Sequence, residues 1–327
     1  MARDSWGRSI DYLRLSVTDR CNFRCAYCLP ASFAGFADHA ATLTDDELVR
    51  AVSAFAALGF KRLRLTGGEP LVRPGIVALT RRLAQVPGVT DLSMSTNGAL
   101  LAPLAGELAR AGLRRVNVSL DTLDPERFKA LTRFGELGAV LEGLDAAEGA
   151  GLAPLKLNVV VVRGLNDGEV PDFVDLAQGR ALHVRFIELM PMGDAGFYSE
   201  GRRVPYAELR AACGALEAVP AAELPEGGGP ARVWRRRGAR GTVGFISALS
   251  CGFCEDCNRV RLTAQGTLHA CLDGAEGVDL RGPLRSGLDA RGLGALVAGA
   301  LARKPKSHDM AARSVGAGSR FMCQTGG

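Results

Sequence analysis

Three cysteines close to the N-terminus have the type and spacing to do chemistry. Cys21, Cys25 and Cys28 are spaced C-x3-C-x2-C, directly after an apolar stretch typical of a strand. A four-iron, four-sulfur cluster normally takes four cysteine ligands, so three cysteines would leave one iron open to another ligand. An open position on a metal is where catalysis takes place. A zinc knuckle or unpaired core cysteines are the alternatives, and C-x3-C-x2-C is not a usual zinc spacing.

A second set of cysteines lies far downstream. Cys254 and Cys257 form C-x2-C, and Cys271 follows the segment NRVRLTAQGTLHA. This set also supplies three ligands for an iron–sulfur cluster. Because Cys251 shortly precedes Cys254, a zinc site with four cysteine ligands can be drawn equally well. Spacing alone does not separate a second iron–sulfur cluster from zinc.

Composition and cysteine content favour a cytoplasmic protein over a membrane or nucleic-acid-binding protein. The nine cysteines are an odd number, Cys213 and Cys323 are expected to be free thiols, and no apolar signal segment precedes the first strand. A reducing cytoplasm without disulfides is therefore expected. Apolar runs are short, which predicts no membrane span. The net charge of +5 is compatible with an anionic small molecule and lacks the dense basic patch of a nucleic-acid-binding protein.

Strand and helix patterns alternate over the first two thirds of the chain. Six strands are predicted, at residues 14–18, 63–66, 91–96, 115–120, 156–162 and 183–189. Amphipathic segments of helical period lie between them, which favours parallel strands with right-handed crossovers. An incomplete, TIM-like (βα)6 barrel is preferred to a flat doubly wound sheet, whose glycine-rich phosphate signature is missing. The barrel is assigned to residues 5–230, and a C-terminal extension with the second cysteine set to residues 231–327.

Polar motifs follow the predicted strands one after another. They are Gly67–Pro70 (GGEP), Thr96–Gly98 (TNG), Ser119–Asp121 (SLD) and Glu188–Met190 (ELM). Each alone reads as a turn. Because the carboxyl ends of parallel strands meet at one mouth of a barrel, their joint placement predicts an active site there.

These motifs together resemble the GTP 3′,8-cyclase family of the radical S-adenosylmethionine (SAM) superfamily. The resemblance spans nearly the whole chain and rests on DYLRLSVTDRCNFRCAYCLP, RLTGGEPLVR, STNG, VNVSLD, KLNVVVV, VRFIELMPMG, FCEDCNRVRLTAQGTLHACL and the terminal Gly-Gly. C-x3-C-x2-C with GGEP alone indicates only the superfamily, whereas the second cysteine set and the tail favour the cyclase family. Another radical SAM enzyme with an auxiliary cluster and a zinc-dependent binding module are the alternatives.

The resemblance implies a lyase that converts GTP to (8S)-3′,8-cyclo-7,8-dihydroguanosine 5′-triphosphate, early in molybdenum cofactor (molybdopterin) biosynthesis. Its implied cofactors are two [4Fe-4S] clusters and SAM. One electron cleaves SAM, and a 5′-deoxyadenosyl radical removes hydrogen from C3′ of GTP, while the protein orients the reactants and excludes water. Implied partners are a one-electron reductant, a downstream cyclic pyranopterin monophosphate synthase and a second copy of the chain in a homodimer, with no nucleic acid or membrane.

Residue roles follow from the same resemblance, motif by motif. The first [4Fe-4S] cluster would be bound by Cys21, Cys25 and Cys28, and the second by Cys254, Cys257 and Cys271. SAM would be contacted by Tyr27, Gly68, Ser119 and Met190. GTP would be contacted by Arg14, Arg64, Thr96, Lys156, Arg259, Val260 and Arg261. Catalytic roles in orienting GTP fall to Arg14, Gly326 and Gly327.

Elementary chemistry agrees with the substrate assignment, and two features depart from the family pattern. A triphosphate needs several cations, and arginine makes planar, bidentate phosphate contacts. Arg259 and Arg261 are spaced i, i+2 and would share one face of a strand. Cys251 is not needed by the family pattern, and the segment 31–42 matches no motif.

Overall fold

The computed structural model describes residues 2–192, 196–227, 229–274, 276–310 and 321–325 of the 327-residue chain. Within them, the strands are β1 (Tyr12–Ser16), β2 (Arg62–Thr66), β3 (Asp91–Thr96), β4 (Arg115–Ser119), β5 (Leu155–Val161), β6 (Leu182–Glu188), β7 (Glu217–Ala218), β8 (Arg232–Arg235), β9 (Thr242–Ile246), β10 (Arg259–Leu262), β11 (Thr267–His269) and β12 (Val278–Asp279).

The α-helices of the described residues lie mostly between the strands. They are α1 (Asp45–Ala57), α2 (Ile76–Ala84), α3 (Ala105–Arg110), α4 (Pro125–Thr132), α5 (Leu137–Gly149), α6 (Val170–Gly179), α7 (Tyr206–Ala212), α8 (Arg281–Arg285), α9 (Ala290–Ala302) and α10 (Met322–Thr325). Helices follow each of β1 to β6, as the alternating pattern predicts.

The strand order identifies an open barrel. All strands lie in one sheet with the order β12-β11-β10-β1-β2-β3-β4-β5-β6-β9-β8-β7. β1 to β6 pair in parallel and in sequence, without the reversal of order that defines a doubly wound sheet. Because β12 and β7 stand at opposite ends of the order, the described strands form no closed ring. The incomplete (βα)6 barrel predicted from the sequence is confirmed.

The C-terminal region extends the barrel at both of its edges. β10 pairs in parallel with β1, and β9 pairs in parallel with β6. β7 and β8 form an antiparallel pair on either side of residue 230. The division of the chain at residue 230 stays a prediction, and the sheet itself runs across it.

Each core strand has an apolar face and a polar face. In β1, Leu13 and Leu15 are 1% and 0% exposed and belong to the core that includes Leu48 and Phe55 of α1. The alternate residue, Arg14, points to the other side, because successive side chains of a strand face opposite ways. The helices therefore cover an apolar outer face, and the polar side chains are left to the barrel interior.

Local signals place two of the helices as the sequence predicts. The Thr44 hydroxyl accepts a hydrogen bond from the backbone of Glu47, whose carboxylate accepts one from the backbone of Thr44. This is the capping box that opens α1. At α4, the Asp124 carboxylate accepts a hydrogen bond from the Arg127 backbone, and Pro125 occupies the first helical position.

A close approach between α5 and the turn after β3 requires a glycine. A Cβ at Gly143 would lie 2.4 Å from the carbonyl oxygen of Gly98, and Gly98 itself has φ of +82°. Backbone atoms cannot move aside as a flexible side chain does, so Gly143 fixes the distance between helix and sheet here.

Replacing Gly143 with Ala should therefore lower the free energy of unfolding by about 1–3 kcal/mol, the usual cost of overpacking. Gly138→Ala in the same helix is the matched control, because a Cβ there meets no heavy atom within 4 Å. Its effect should be neutral or stabilising by up to about 1 kcal/mol. Chemical denaturation measures both variants, and equal stabilities would contradict the packing argument.

Candidate functional site

A cavity of about 350 Å³ lies inside the barrel and at the carboxyl ends of its strands. It brings together most of the residues that the sequence singled out. Those that line it are Arg14, Cys21, Cys25, Tyr27, Cys28, Arg64, Gly68, Thr96, Ser119, Met190, Cys254, Cys257, Arg259, Arg261 and Cys271.

Two predicted residues are placed away from this lining. Val260 is 1% exposed and lies on the other face of β10, against the core, so only its backbone is available to a ligand in the barrel. Lys156 is buried, and its ammonium group donates to the backbone carbonyl of Glu226. Gly326 and Gly327 lie outside the described residues.

The thiols of the first set are buried at one end of the cavity. Burial raises the pKa of Cys21 to about 11, with the Glu69 carboxylate adding to the rise. Burial, followed by the neighbouring Cys28 and Asp121, raises the pKa of Cys25 well above its usual value. These thiols deprotonate readily only when a cationic metal centre binds them, because metal binding and thiol deprotonation are coupled.

Glu69 of GGEP organises the loops beside this set. It is 1% exposed, and its carboxylate accepts hydrogen bonds from the Thr96 hydroxyl at 2.7 Å and the Asn97 backbone at 2.6 Å. Burial raises its pKa to about 7, despite these hydrogen bonds. Thr96, expected to contact GTP, thus uses its hydroxyl hydrogen to join the loop after β3 to the loop after β2.

Asp121 of SLD makes an equivalent connection. Its carboxylate accepts from the Tyr27 hydroxyl at 2.7 Å and from the Val160 backbone at 2.8 Å, and burial raises its pKa to about 6. Asp121 thereby holds the loop of the first cysteine set against β5. Glu69 and Asp121 lie within sequence motifs, but no role was predicted for either. A buried hydrogen bond between two loops leaves no local pattern in the sequence.

The glycines of GGEP are required by the protein's own backbone. A Cβ at Gly67 would lie 2.4 Å from the carbonyl oxygen of Thr18, and one at Gly68 would lie 2.3 Å from that of Arg20. The Gly68 backbone also donates to the Thr18 carbonyl at 2.8 Å. These glycines therefore permit close approach of the loop that carries the first cysteines.

A row of arginines crosses the barrel interior. Arg261, Arg14 and Arg64 stand opposite one another on β10, β1 and β2. Burial and the neighbouring guanidinium groups lower the pKa of Arg14 well below its usual value, and burial lowers that of Arg261 to about 10. As predicted from the i, i+2 spacing, Arg259 and Arg261 share one face of β10, with Val260 and Leu262 buried on the other.

Arg185 adds another buried cation near Arg64, and it was not predicted from the sequence. It lies on β6, donates to the Asn158 side chain at 2.6 Å, and has a pKa lowered to about 9 by burial and by Arg64. Within the described residues, its Nε and the Tyr12 hydroxyl are buried without a hydrogen-bond partner. Both residues line the cavity. Unmatched donors beside buried cations fit an anionic ligand rich in acceptor oxygens.

The second cysteine set lies beside this cationic row. Burial alone would raise the pKa of Cys257, but Arg259 and then Lys304 lower it to about 7. The Arg259 guanidinium stands 3.9 Å from the Cys257 sulfur, and Lys304 donates to the Arg259 carbonyl at 2.9 Å. Lys304 is a further residue that sequence analysis missed, because it follows α9, far from any motif. Cys251, the extra cysteine near this set, is not among the described residues that line the cavity.

All nine cysteines are free thiols in the structure, which suits metal ligation. Across the described residues, no group of three or more His, Cys, Asp or Glu is close enough to hold a single metal ion. The ligands of a four-iron cluster stand farther apart, since each binds a different iron. The helices that the structure describes include none long and apolar enough to cross a membrane.

Comparisons with known proteins assign the chain to a family. Two family models match it: Radical SAM superfamily over residues 15–177 and Molybdenum Cofactor Synthesis C over residues 182–310. The chain is 48% identical to the GTP 3′,8-cyclase of Pelotomaculum thermopropionicum, over 94% of this chain and 95% of that relative. It is 47% identical to the GTP 3′,8-cyclase of Heliobacterium modesticaldum, over 99% of each. This chain belongs to the GTP 3′,8-cyclase family.

As a GTP 3′,8-cyclase it is a radical SAM enzyme of molybdenum cofactor biosynthesis, with SAM and two [4Fe-4S] clusters as cofactors. The solved structure of Streptococcus suis SuiB shows the same fold, with a TM-score of 0.60 at 14% identity. The match covers 80% of this chain and 60% of the SuiB chain. The residues present in this cyclase fit its cofactors, because two sets of three free cysteines open into one cavity.

The different surroundings of the two cysteine sets predict different thiol reactivity. In folded protein stripped of clusters, Cys257 should be alkylated by iodoacetamide with an apparent pKa of about 7, and Cys21 with one of about 11. The thiolate is the nucleophile, so at mildly alkaline pH Cys257 should react first. Mass spectrometry of the alkylated peptides across a pH series measures both residues.

Arg259→Gln should raise the apparent pKa of Cys257, because it removes the main charge that stabilises the thiolate. Arg291→Gln, an exposed arginine on α9, is the matched control and should leave it unchanged. Identical pH profiles for Cys21 and Cys257 would contradict the electrostatic difference.

Proposed function

We propose that this GTP 3′,8-cyclase divides its cavity into a SAM end and a GTP end. The observation that carries the proposal is the arrangement of charges. Cys21 and Cys25 lie near the buried carboxylates Glu69 and Asp121, whereas Cys257 lies at the end of the arginine row. A cationic cofactor suits the first surroundings, and a triphosphate suits the second.

At the first end, Cys21, Cys25 and Cys28 bind the cluster that leaves one iron for SAM. Tyr27, Gly68, Ser119 and Met190 line the cavity around it. The crystal structure of SuiB bound to SAM has the same fold, with a TM-score of 0.56, which supports SAM binding at this mouth of the barrel. When bound, the cluster and SAM supply the one-electron chemistry that removes a hydrogen from GTP.

At the second end, the arginine row binds the triphosphate. Arg14, Arg64 and Arg261 give adjacent guanidinium groups, and Arg259 lies between this row and Cys257. Planar guanidinium groups bind phosphate oxygens in pairs, so the row fixes the orientation as well as the position of the nucleotide. Cys254, Cys257 and Cys271 bind the second cluster beside the nucleotide.

Lys156 joins this binding set once its present contact is exchanged. Its Nζ donates to the Glu226 carbonyl, and burial followed by Arg185 and Arg64 lowers its pKa to about 6. An incoming phosphate offers a charged acceptor in place of the neutral carbonyl. The negative charge of the phosphate raises the pKa of Lys156 towards its usual value. Lys156 therefore binds phosphate when the segment containing Glu226 shifts.

The remaining roles rest on the family resemblance. Gly326 and Gly327, which lie outside the described residues, act with Arg14 in orienting GTP for hydrogen abstraction. The product passes to a cyclic pyranopterin monophosphate synthase, a one-electron reductant supplies the first cluster, and the enzyme acts as a cytoplasmic homodimer. The nine free cysteines support a reducing compartment.

The cluster assignment predicts which cysteines hold iron. Anaerobically prepared protein should contain about eight irons per chain, as two four-iron clusters require. Cys21→Ala and Cys254→Ala should each lose about half of this iron, and Cys21→Ala should also abolish 5′-deoxyadenosine formation from SAM. Iron and sulfide analysis, with product chromatography, measures these changes.

Cys251→Ala is the control for the second set, since Cys251 is not among the described residues lining the cavity. It should keep the full iron content. Loss of a cluster in this variant would show four cysteine ligands at the second site and would contradict the open iron proposed there.

The GTP end is tested by removing single cations. Arg259→Ala and Arg261→Ala should each weaken GTP binding by about 1.5–3 kcal/mol, the value of a hydrogen bond to a charged group, with iron content and SAM binding retained. Arg291→Ala removes the same charge from an exposed site on α9 and should bind GTP normally. Equilibrium binding measures GTP affinity for all three variants. Equal affinity in all three would show that Arg259 and Arg261 do not bind GTP.

A further inference from the structure

The last described segment of the chain lies against the loop that follows the first cysteine set. The ring of Phe321 packs edge-on against that of Phe33, with centroids 4.9 Å apart. Phe33 packs in the same way against Phe36 at 5.0 Å, and the guanidinium of Arg24 lies over the Phe36 ring. The segment 31–42, which matches no sequence motif, thus contacts the last described segment, residues 321–325.

This contact brings α10 to the first cysteine set. Cys323 lines the cavity together with Cys21, Cys25 and Cys28, and it is 3% exposed. The Cys323 backbone donates a hydrogen bond to the Cys28 thiol. Cys323 and Cys28 are therefore neighbours at this end of the cavity.

Four cysteines thus gather at the end of the cavity where the sequence motif supplies three. Four is the normal number of cysteine ligands for a [4Fe-4S] cluster. The fourth is remote in sequence and is held by aromatic packing rather than by a tight loop. Because Cys323 lies outside the loop of the first cysteine set, its replacement on the iron would leave the other three ligands in place.

We propose that the thiolate of Cys323 binds the open iron of the first cluster whenever SAM is absent, and that SAM binds by displacing it. The inference rests on the proposed assignment of Cys21, Cys25 and Cys28 as ligands of that cluster. Cys323 is then a resting-state ligand that shields the open iron until the cofactor arrives.

The exchange is a ligand substitution without electron transfer. In the resting enzyme, the Cys323 thiol has released its proton to solvent, and its sulfur forms one bond to iron. When SAM arrives, that bond breaks, and the amino nitrogen and a carboxylate oxygen of SAM bind the iron. The proton lost by the ammonium group of SAM is balanced by the proton that Cys323 takes up.

Competition of this kind lowers the apparent affinity for SAM. If the thiolate occupies the iron in about nine of ten molecules, its removal should tighten SAM binding roughly tenfold. Cys323→Ala and Cys323→Ser should both show this gain in the reconstituted holoenzyme, since neither an alanine nor a serine side chain supplies a thiolate. Serine keeps the size of the side chain and so controls for packing. Cys213→Ala removes a buried thiol elsewhere and should bind SAM normally.

Oxidation gives a second measurement that does not depend on turnover. An open iron is the one lost when a cluster is oxidised, which leaves a three-iron cluster with its own electron paramagnetic resonance signal. After treatment with ferricyanide, the part of this signal that added SAM suppresses comes from the first cluster. This part should be small in the natural enzyme and several-fold larger in both Cys323 variants.

Unchanged SAM affinity together with an unchanged oxidation signal in both variants would overturn the inference. So would weaker SAM binding, which would mean that α10 supports SAM rather than competes with it. The iron content of the natural enzyme and of Cys21→Ala tests the ligand assignment separately. If those values agree with the assignment and the Cys323 variants match the natural enzyme, only this inference fails.

Discussion

The burial of several guanidinium groups inside one barrel is the constraint on which the rest of the structure depends. Arg14, Arg64 and Arg185 all have a lowered pKa, chiefly because burial disfavours the charged form. Buried charges are costly unless an opposite charge accompanies them. The apolar outer faces of the strands and the helix layer must offset this cost. A ligand with several negative charges relieves it, so folding leaves a cavity prepared for a nucleotide triphosphate.

The barrel could be predicted from the sequence because its signals are local and repeated. Each of β1 to β6 is a short run rich in apolar residues, and all but β5 precede the first cysteine set or a polar motif. Parallel strands bring such motifs to one mouth. The structural roles of residues within these motifs could not be predicted in the same way. Glu69 and Asp121 bind backbone and hydroxyl groups of neighbouring loops, and no spacing rule reveals a partner on another strand.

Other parts of the site depend on contacts between residues far apart in the chain. Arg185 lies between the apolar residues Val184 and Phe186 of β6, and nothing nearby in the sequence shows that it faces a cavity. Lys304 reaches the Arg259 carbonyl from the end of α9, and Cys323 reaches the first cysteine set through packing of Phe321 on Phe33. Only the three-dimensional arrangement assembles these groups, so sequence spacing identified the two cysteine sets but not their surroundings.

The surroundings of the two cysteine sets differ in the sign of their charges, and this difference underlies the proposed division into a SAM end and a GTP end. SAM carries a sulfonium cation, and the first set lies near the Glu69 and Asp121 carboxylates. GTP is a polyanion, and the second set lies beside Arg259 and Lys304. In a low-dielectric interior, each misplaced ligand would meet charges of its own sign at short range. In the proposed division, the fold specifies the orientation of the two reactants before any shape-specific contact forms, and the reacting groups meet between the two ends.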